Sequence, residues 1–431
     1  MKIVKGFRDI LPYGSKNNES SFAWGSITNQ LKRIMGSFNY EEIITPVVEY
    51  DSTFKKGIGE DTDIVSKEMY EFALERDINL SEENQKYCLR PEGTAPIVRS
   101  VIENSLNKVK SINKLFYLGP MFRYERSQKG RYRMFYQIGA ELIGSDQILY
   151  EIEMLEMARK ILTTLEIKNF SFQINSIGNK ESLKNIAEAV RSFAKNYKNT
   201  IEDNDYKILE KNPLRFLDKA IHKYEFDNIP KTIDYLDKRS LKRFNELIKI
   251  LDNIKFPYKI NNQLVRGIDY YNDLVFEATS KDLGAQDALL AGGRYDTLFE
   301  KFNKSETSSI GFAAGVERVI LATNKNNNFN NSLDFFIIFK EEDIAQDSLI
   351  LAFKLRDLGF KVEIDLEKRS FIKQMKLADK SNAKRSIIIS RNDFKKSDVI
   401  IKDMNSGDEK TVNIKNNFEF FIKLKKVESN E

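Results

Sequence analysis

Histidine and cysteine, the side chains most used for nucleophilic and metal chemistry, are almost missing from this chain: its 431 residues contain one of each, His222 and Cys88. That excludes a disulfide framework and a Cys/His zinc site. A Ser-His-Asp or Cys-His nucleophilic machine would have to use His222 as its base. His222 stands in Leu217-Asp218-Lys219-Ala220-Ile221-His222-Lys223, a helical and polar stretch where an inert surface histidine is expected. No apolar run reaches membrane-spanning length. The start MKIVKGFRDILP has neither the apolar core of a signal peptide nor the acid-poor composition of a transit peptide, so a cytoplasmic setting without a membrane partner is expected. An excess of either charge is missing too. Lys+Arg number 69 against 64 Asp+Glu, a net charge of +5, so an RNA partner would need a local patch. The chemistry therefore falls to arginines and carboxylates.

The length implies two or three domains. The polar stretch from Ala322 to Asn331, with six asparagines, reads as a linker. The resulting division is 1–322, a linker at 323–332, and a C-terminal domain over 333–431. In that last part, strands Phe360–Ile364 and Arg385–Ile389 alternate with helices Asp347–Leu358 and Ser370–Asn382, which predicts an α/β domain on a mostly parallel sheet. A lysine-rich, helix-patterned stretch from about 180 to 258 reads either as a helical insertion or as an elaborated surface of the first domain.

The most informative segment is Phe122 to Glu141, FRYERSQKGRYRMFYQIGAE. Aromatic and β-branched runs at Phe122–Glu125 and Met134–Ile138 flank the polar Ser127-Gln128-Lys129-Gly130-Arg131, the pattern of a hairpin. Arg123, Glu125, Arg131, Gln137 and Glu141 would then project from one region of sheet, an arrangement suited to a ligand with phosphates, a carboxylate and polar nitrogens. Glu42–Tyr50 follows a helix over Ala23–Ser37, and its internal Pro46 suits an edge or strand end. Further along, Ser309-Ile310-Gly311-Phe312-Ala313-Ala314-Gly315 runs directly into a helix carrying Arg318, where glycines permit close backbone approach.

In their order along the chain these residues resemble the class II aminoacyl-tRNA synthetases. Phe38–Tyr50, Leu115–Gly144 and Ser309–Leu321 are similar to the three class motifs. Three further blocks resemble the histidine-specific branch, the histidyl-tRNA synthetase family: Leu89-Arg90-Pro91-Glu92-Gly93-Thr94-Ala95, Leu264-Val265-Arg266-Gly267-Ile268-Asp269-Tyr270-Tyr271 and Ala291-Gly292-Gly293-Arg294-Tyr295-Asp296. Ser370–Lys380 resembles the family's anticodon-binding domain. The fold implied is α/β (α+β): an antiparallel sheet flanked by helices, with a helical insertion and a C-terminal α/β anticodon-binding domain.

The resemblance implies a histidine–tRNA ligase that uses ATP, with Mg²⁺ on the phosphates, acts on tRNA(His), and forms a homodimer through Glu42–Tyr50. No metal held by protein ligands is implied. Arg123 would bridge the α-phosphate and the amino-acid carboxylate. Arg131 and Arg318 would hold the outer phosphates, adenine would stack between Phe135 and Arg318, and Glu125 would take the adenine amino group. Arg266 would be a built-in cation at the reacting groups, with an ion pair to a neighbouring carboxylate as its alternative. Histidine would lie among Glu92, Gly93, Thr94, Gln137, Glu141, Tyr270 and Tyr271. Glu141 and Tyr271 would meet the ring nitrogens, and Glu92, Thr94 and Gln137 the α-ammonium. Arg126 and Gln128 would face the tRNA acceptor end, and Lys373, Gln374 and Lys376 would be candidates for base contacts.

The sequence departs from the family pattern at Ser127, Met134, Tyr136, Asp273 and Thr297. Asp273 would set a negative charge near the phosphates unless it points away. Two other readings compete: a non-catalytic regulatory subunit of ATP phosphoribosyltransferase, which lacks the anticodon-binding domain, and a class II synthetase for proline or threonine.

Overall fold

The structure is a computed structural model describing residues 1–12, 20–73, 86–125, 130–219, 223–283, 287–323, 332–415 and 418–428. His222, Arg126, Ser127 and Gln128 lie outside the described residues. The chain forms two compact units, Met1–Asn328 and Phe329–Glu431.

In the first unit the strands are β1 (Glu41–Glu42), β2 (Val48–Tyr50), β3 (Tyr70–Phe72), β4 (Tyr87–Leu89), β5 (Asn113–Phe122), β6 (Met134–Ile143), β7 (Phe170–Ser176), β8 (Lys259–Ile260), β9 (Asn272–Ser280), β10 (Ala288–Arg294) and β11 (Ser309–Gly315). Eight of them form one sheet in the order β1-β5-β6-β11-β10-β9-β7-β8. Its central pairings are all antiparallel, and only the short edge strands β1 and β8 pair in parallel. Helices cover it. Ser21–Ser37 is one: Ser20 caps its start by accepting from the Ala23 N–H, and Ala23, Ile27, Leu31 and Met35 form one buried face on a helix that packs against Ile148–Thr164 and Val316–Ala322.

Two sequence expectations change here. The segment Glu42–Tyr50 is not one strand. Pro46 falls between β1 and β2, which belong to different sheets, as suits a residue that can donate no ladder bond. The first hairpin arm also ends at Phe122, so Arg123 and Glu125 lie just beyond the strand. The Arg123 N–H still bonds the Arg133 carbonyl at 3.0 Å, but Tyr124 N–H turns aside to Glu68 at 2.7 Å.

Helices Lys180–Lys195, Asp203–Lys211, Pro213–Lys219 and Lys238–Asn253 fill the chain between β7 and β8. Their core brings Ile186, Val190, Leu209, Phe216 and Leu217 against Val265 and Val275 of the sheet side. Arg243 of the last helix bonds Glu151 at 3.1 Å. Glu151 also takes Arg294 at 3.1 Å, and Arg294 binds Asp296 at 2.9 Å.

The second unit has β12 (Leu333–Phe339), β13 (Val362–Ile364), β14 (Ala383–Ile389), β15 (Asp398–Asp403) and β16 (Glu409–Asn413), ordered β13-β12-β14-β15-β16. The mostly parallel sheet expected is half right: β13-β12-β14 are parallel, but β15 and β16 return antiparallel. Only the five-residue helix Arg391–Lys395 separates β14 from β15, too short a link for a parallel crossover. In β12, Phe335, Ile337 and Phe339 enter one core and Phe336 and Ile338 the other, as a strand buried on both faces requires. Gln374, a candidate for base contacts, is instead 1% exposed and pairs with both the N–H and the carbonyl of Phe339. Its amide ties a helix to β12.

Arg294 is the largest fully buried charged side chain, at 1% exposure. Removing it takes the arginine from Asp296 and leaves Glu151 with Arg243 alone, so Arg294→Met is expected to lower stability by about 3 kcal/mol, read by urea unfolding of the parent and variant chains. An unchanged midpoint would show that the two acids find other partners.

Candidate functional site

The exposed face of the large sheet carries a cleft in two connected parts. One is lined by Glu92, Thr94, Gln137, Glu141, Tyr270, Tyr271 and Tyr295, with a cavity of about 390 Å³. The other is lined by Gly130, Tyr132, Phe135, Gly315, Glu317 and Arg318. Arg123, Glu125, Arg131, Gln137 and Arg266 border both. Residues drawn from five separate sequence blocks thus meet in one depression.

The deeper part is organised by Glu141. It sits on β6 next to β11, opposite Gly311. A Cβ on Gly311 would stand 1.8 Å from the carboxylate, so the glycine makes room for Glu141 rather than for a ligand. Thr94 donates to one carboxylate oxygen at 2.7 Å and Tyr295 to the other at 2.6 Å. Burial drives the Glu141 pKa up to about 8, and nearby Glu92 adds to this, while the Tyr295 and Thr94 bonds pull it down. The Tyr270 ring packs against Tyr271 at 4.7 Å and against Tyr295 at 5.7 Å, so three tyrosines stand together beside the carboxylate.

Beside it, Glu92 accepts from the Thr94 N–H at 2.7 Å and the Ala95 N–H at 2.8 Å, capping the helix Thr94–Glu103. Gly93 leaves space for the Tyr117 ring, which a Cβ would meet at 2.3 Å. The side-chain oxygen of Gln137 is buried with no hydrogen-bond partner. It is an open acceptor at the junction of the two parts.

The shallower part is cationic. Arg123 is anchored by its Nε on the Pro91 carbonyl at 2.9 Å and lies over the Phe135 ring at 5.2 Å. Arg131 holds Glu125 at 3.0 Å. Glu125 thus serves an arginine pair before any ligand arrives. Arg266 pairs with Glu277 at 2.9 Å, so the ion pair read as its alternative exists, yet the same side chain borders both parts of the cleft. Its Nε is buried without a hydrogen-bond partner. Arg318 lies at the far end, in the third position of the helix Val316–Ala322.

Three of the departures from the family pattern have places in the fold. Asp273 lines neither part of the cleft; it is buried, with a left-handed φ of 48°, and its N–H bonds the Gly178 carbonyl at 2.8 Å. It points away from the site. Tyr136 packs edge-on against Trp24 at 5.2 Å, and Met134 pairs with Phe122 across the hairpin.

Sequence reasoning passed over Tyr295, Glu317 and Asp218. Tyr295 directly follows the β10 glycines and was legible only as part of a block. Glu317 accepts from the Tyr136 N–H at 3.0 Å, and burial lifts its pKa to about 7. Asp218 reaches the cleft from the helical segment between β7 and β8.

The sequence profile described as Histidyl-tRNA synthetase matches residues 6–319, and that described as Anticodon binding domain matches 319–424. The chain belongs to the histidyl-tRNA synthetase family. The curated Histidine–tRNA ligase of Francisella tularensis subsp. holarctica is 39% identical over 416 residues, covering 95% of this chain and 96% of the relative. The apo histidyl-tRNA synthetase crystal structure from S. aureus superposes with a TM-score of 0.79 at 30% identity, over 98% of this chain and 99% of that one. A Bacillus halodurans structure titled as an ATP phosphoribosyltransferase regulatory subunit/histidyl-tRNA synthetase has a TM-score of 0.61 at 22% identity, covering 89% and 97%. That likeness shows the fold alone. The regulatory-subunit reading is the less supported one, since the family member here also matches the anticodon-binding profile.

The raised Glu141 pKa has a consequence for stability. The neutral acid is favoured in the fold, so its contribution is fully present below the ordinary value of 4.5 and is lost as pH rises through about 8. Without histidine, Glu141→Gln is therefore expected to melt progressively higher than the parent between about pH 4.5 and 8 and to level off above, while histidine-dependent activity falls at least about 100-fold. A melting difference independent of pH would count against an ionisable, buried Glu141.

Proposed function

We propose how this ATP-dependent histidine–tRNA ligase divides its reaction among the residues of the cleft. Histidine occupies the deep part. Glu141 accepts from one ring N–H and the Tyr271 hydroxyl meets the other nitrogen, with Tyr270, Thr94 and Tyr295 fixing both groups in place. A substrate without ring nitrogens would leave a buried carboxylate and a hydroxyl unpaired, which is costly. The α-ammonium meets Gln137, Thr94 and the remaining lone pairs of Glu92, with Gly93 in the bend beside them. The open Gln137 acceptor supports this placing.

ATP lies in the cationic part, its adenine between Phe135 and Arg318, its amino group toward Glu125, and its outer phosphates on Arg131 and Arg318. The histidine carboxylate attacks the α-phosphorus. A C–O–P link forms, the α–β anhydride breaks and pyrophosphate leaves. A terminal ribose hydroxyl of tRNA(His) then takes the acyl group and AMP departs. No group need be deprotonated in the first step, which suits a site built of guanidinium groups. Arg123 bridges the two reacting anions, and Arg266 neutralises charge that grows as they approach.

Among the described residues no three Asp, Glu, His or Cys side chains converge to cage a metal ion. The arginine-lined cleft fits Mg²⁺ carried in on the ATP phosphates rather than held in a protein cage. There the ion would supply further charge neutralisation.

The second unit reads the anticodon, and Arg126 and Gln128 meet the acceptor end. Two copies pair through the surface around β2, where Ile44, Val48 and Tyr50 expose apolar side chains at 86%, 44% and 47%. No helix among the described residues is long and apolar enough to cross a membrane.

The observation that carries this reading is the meeting of Glu141, Gln137, Arg123 and Arg266 in one cleft. Pyrophosphate exchange into ATP, run with each amino acid in turn, is expected with histidine alone; exchange with proline or threonine, or with no amino acid, would overturn it. Arg266→Ala should lower kcat by about 10²–10³ with both KM values within a few-fold. A loss confined to KM would place Arg266 in ground-state binding instead.

A further inference from the structure

We propose that Asp218, delivered by the helical segment between β7 and β8, is a positioning residue for Arg266. The inference rests on the catalytic role given to Arg266 above.

The short helix Pro213–Lys219 spends consecutive residues on separate tasks. Arg215 bonds the Asp61 carbonyl and the Asp63 carboxylate, and Asn212 just before the helix bonds Asp269 at 2.9 Å. Phe216 and Leu217 are buried in the same core as Val265, which directly precedes Arg266, and Val275, two residues before Glu277. This bracing leaves Asp218 little freedom. It lines the deep part of the cleft together with Arg266 and Gly267.

Gly267 records how close the approach is. A Cβ there would stand 2.9 Å from a carboxylate oxygen of Asp218. The glycine after Arg266 is thus the residue over which the acid settles. Asp218 acts electrostatically on both Arg266 and Glu277. Arg266 has one direct anchor, its Nη1 on Glu277 at 2.9 Å, while its Nε is buried and unbonded.

A guanidinium held at one corner keeps torsional freedom in a long side chain, and a second anion on a different element restricts its direction. The acids also set a limit on placement. Glu277 approaches from β9 and Asp218 from the helical segment, so the cation is bracketed between two parts of the chain rather than drawn wholly onto one carboxylate.

The test uses the full-length chain and histidine-dependent pyrophosphate exchange, with histidine and ATP each varied. Asp218→Asn is expected to lower kcat by about 10–100-fold, the scale of a slightly misplaced catalytic group, with both KM values within about threefold. Asp218→Glu should recover most of the rate, because the charge returns. Gly267→Ala, which displaces the acid without removing it, should repeat the kcat-limited loss. A raised histidine KM with kcat intact, or no recovery in Asp218→Glu, would overturn the proposal and leave Asp218 as a wall of the cleft. Arg266→Ala separates the two levels. If it keeps full speed, the role given to Arg266 fails; if it is slow while Asp218→Asn is not, only the role of Asp218 fails.

Discussion

One buried carboxylate sets the terms for the whole cleft. Glu141 is 1% exposed, and an acid so placed is tolerable only when its oxygens are bonded. The bonds come from the start of the helix Thr94–Glu103 and from Tyr295 beyond β10, so three distant pieces of chain are locked together at the site. The local demands follow from that lock. Gly311 must lack a side chain, Glu92 must cap the helix so that Thr94 is aimed inward, and the Tyr270 ring must pack between Tyr271 and Tyr295. The same acid that disfavours folding at high pH gives the pocket an acceptor no neutral residue supplies as strongly. Selectivity and stability pull against each other at a single position.

The arginines of the shallower part show a second regularity. Each of three has a fixed partner before any substrate enters: Arg123 on the Pro91 carbonyl, Arg131 on Glu125, Arg266 on Glu277. Free guanidinium groups would have to be ordered at the moment of reaction, at an entropic cost, and would repel one another across a small cavity. Interleaved acids remove both difficulties.

Much of this was legible along the chain because strands and short blocks carry it. The hairpin of β5 and β6 follows from aromatic and β-branched runs, β11 from a glycine-bearing run that leads into a helix, and the blocks around Glu92, Arg123, Arg266 and Arg318 marked the cleft. What was hidden depends on pairing across long separations. Tyr295 meets Glu141 across 154 residues, and no local pattern announces such a bond. Gln374 looked available for RNA on a basic helix, but helical periodicity alone does not say which polar residue turns inward to a strand. The antiparallel return of β15 and β16 was missed because alternating strands and helices suggest parallel crossovers until link length is weighed. Asp273 looked misplaced only while β9 was assumed to keep regular geometry to its first residues; a left-handed φ there sends its N–H to Gly178, and the buried carboxylate lines neither part of the cleft.

Arg266 shows why a structural and a catalytic reading of one residue need not exclude each other. An ion pair with Glu277 satisfies one corner of a guanidinium that has five donors. The remaining donors stay available while one corner is pinned. A fully exposed arginine would keep its charge but not its aim; one paired on every side would keep its aim but present little charge to a ligand. The arrangement here lies between those limits. On the roles proposed for Arg266 and Asp218, Glu277 and the bracing around Pro213–Lys219 would belong to the energetics of the reaction, even though neither need touch a substrate: they would hold a cation in the geometry that charge development demands.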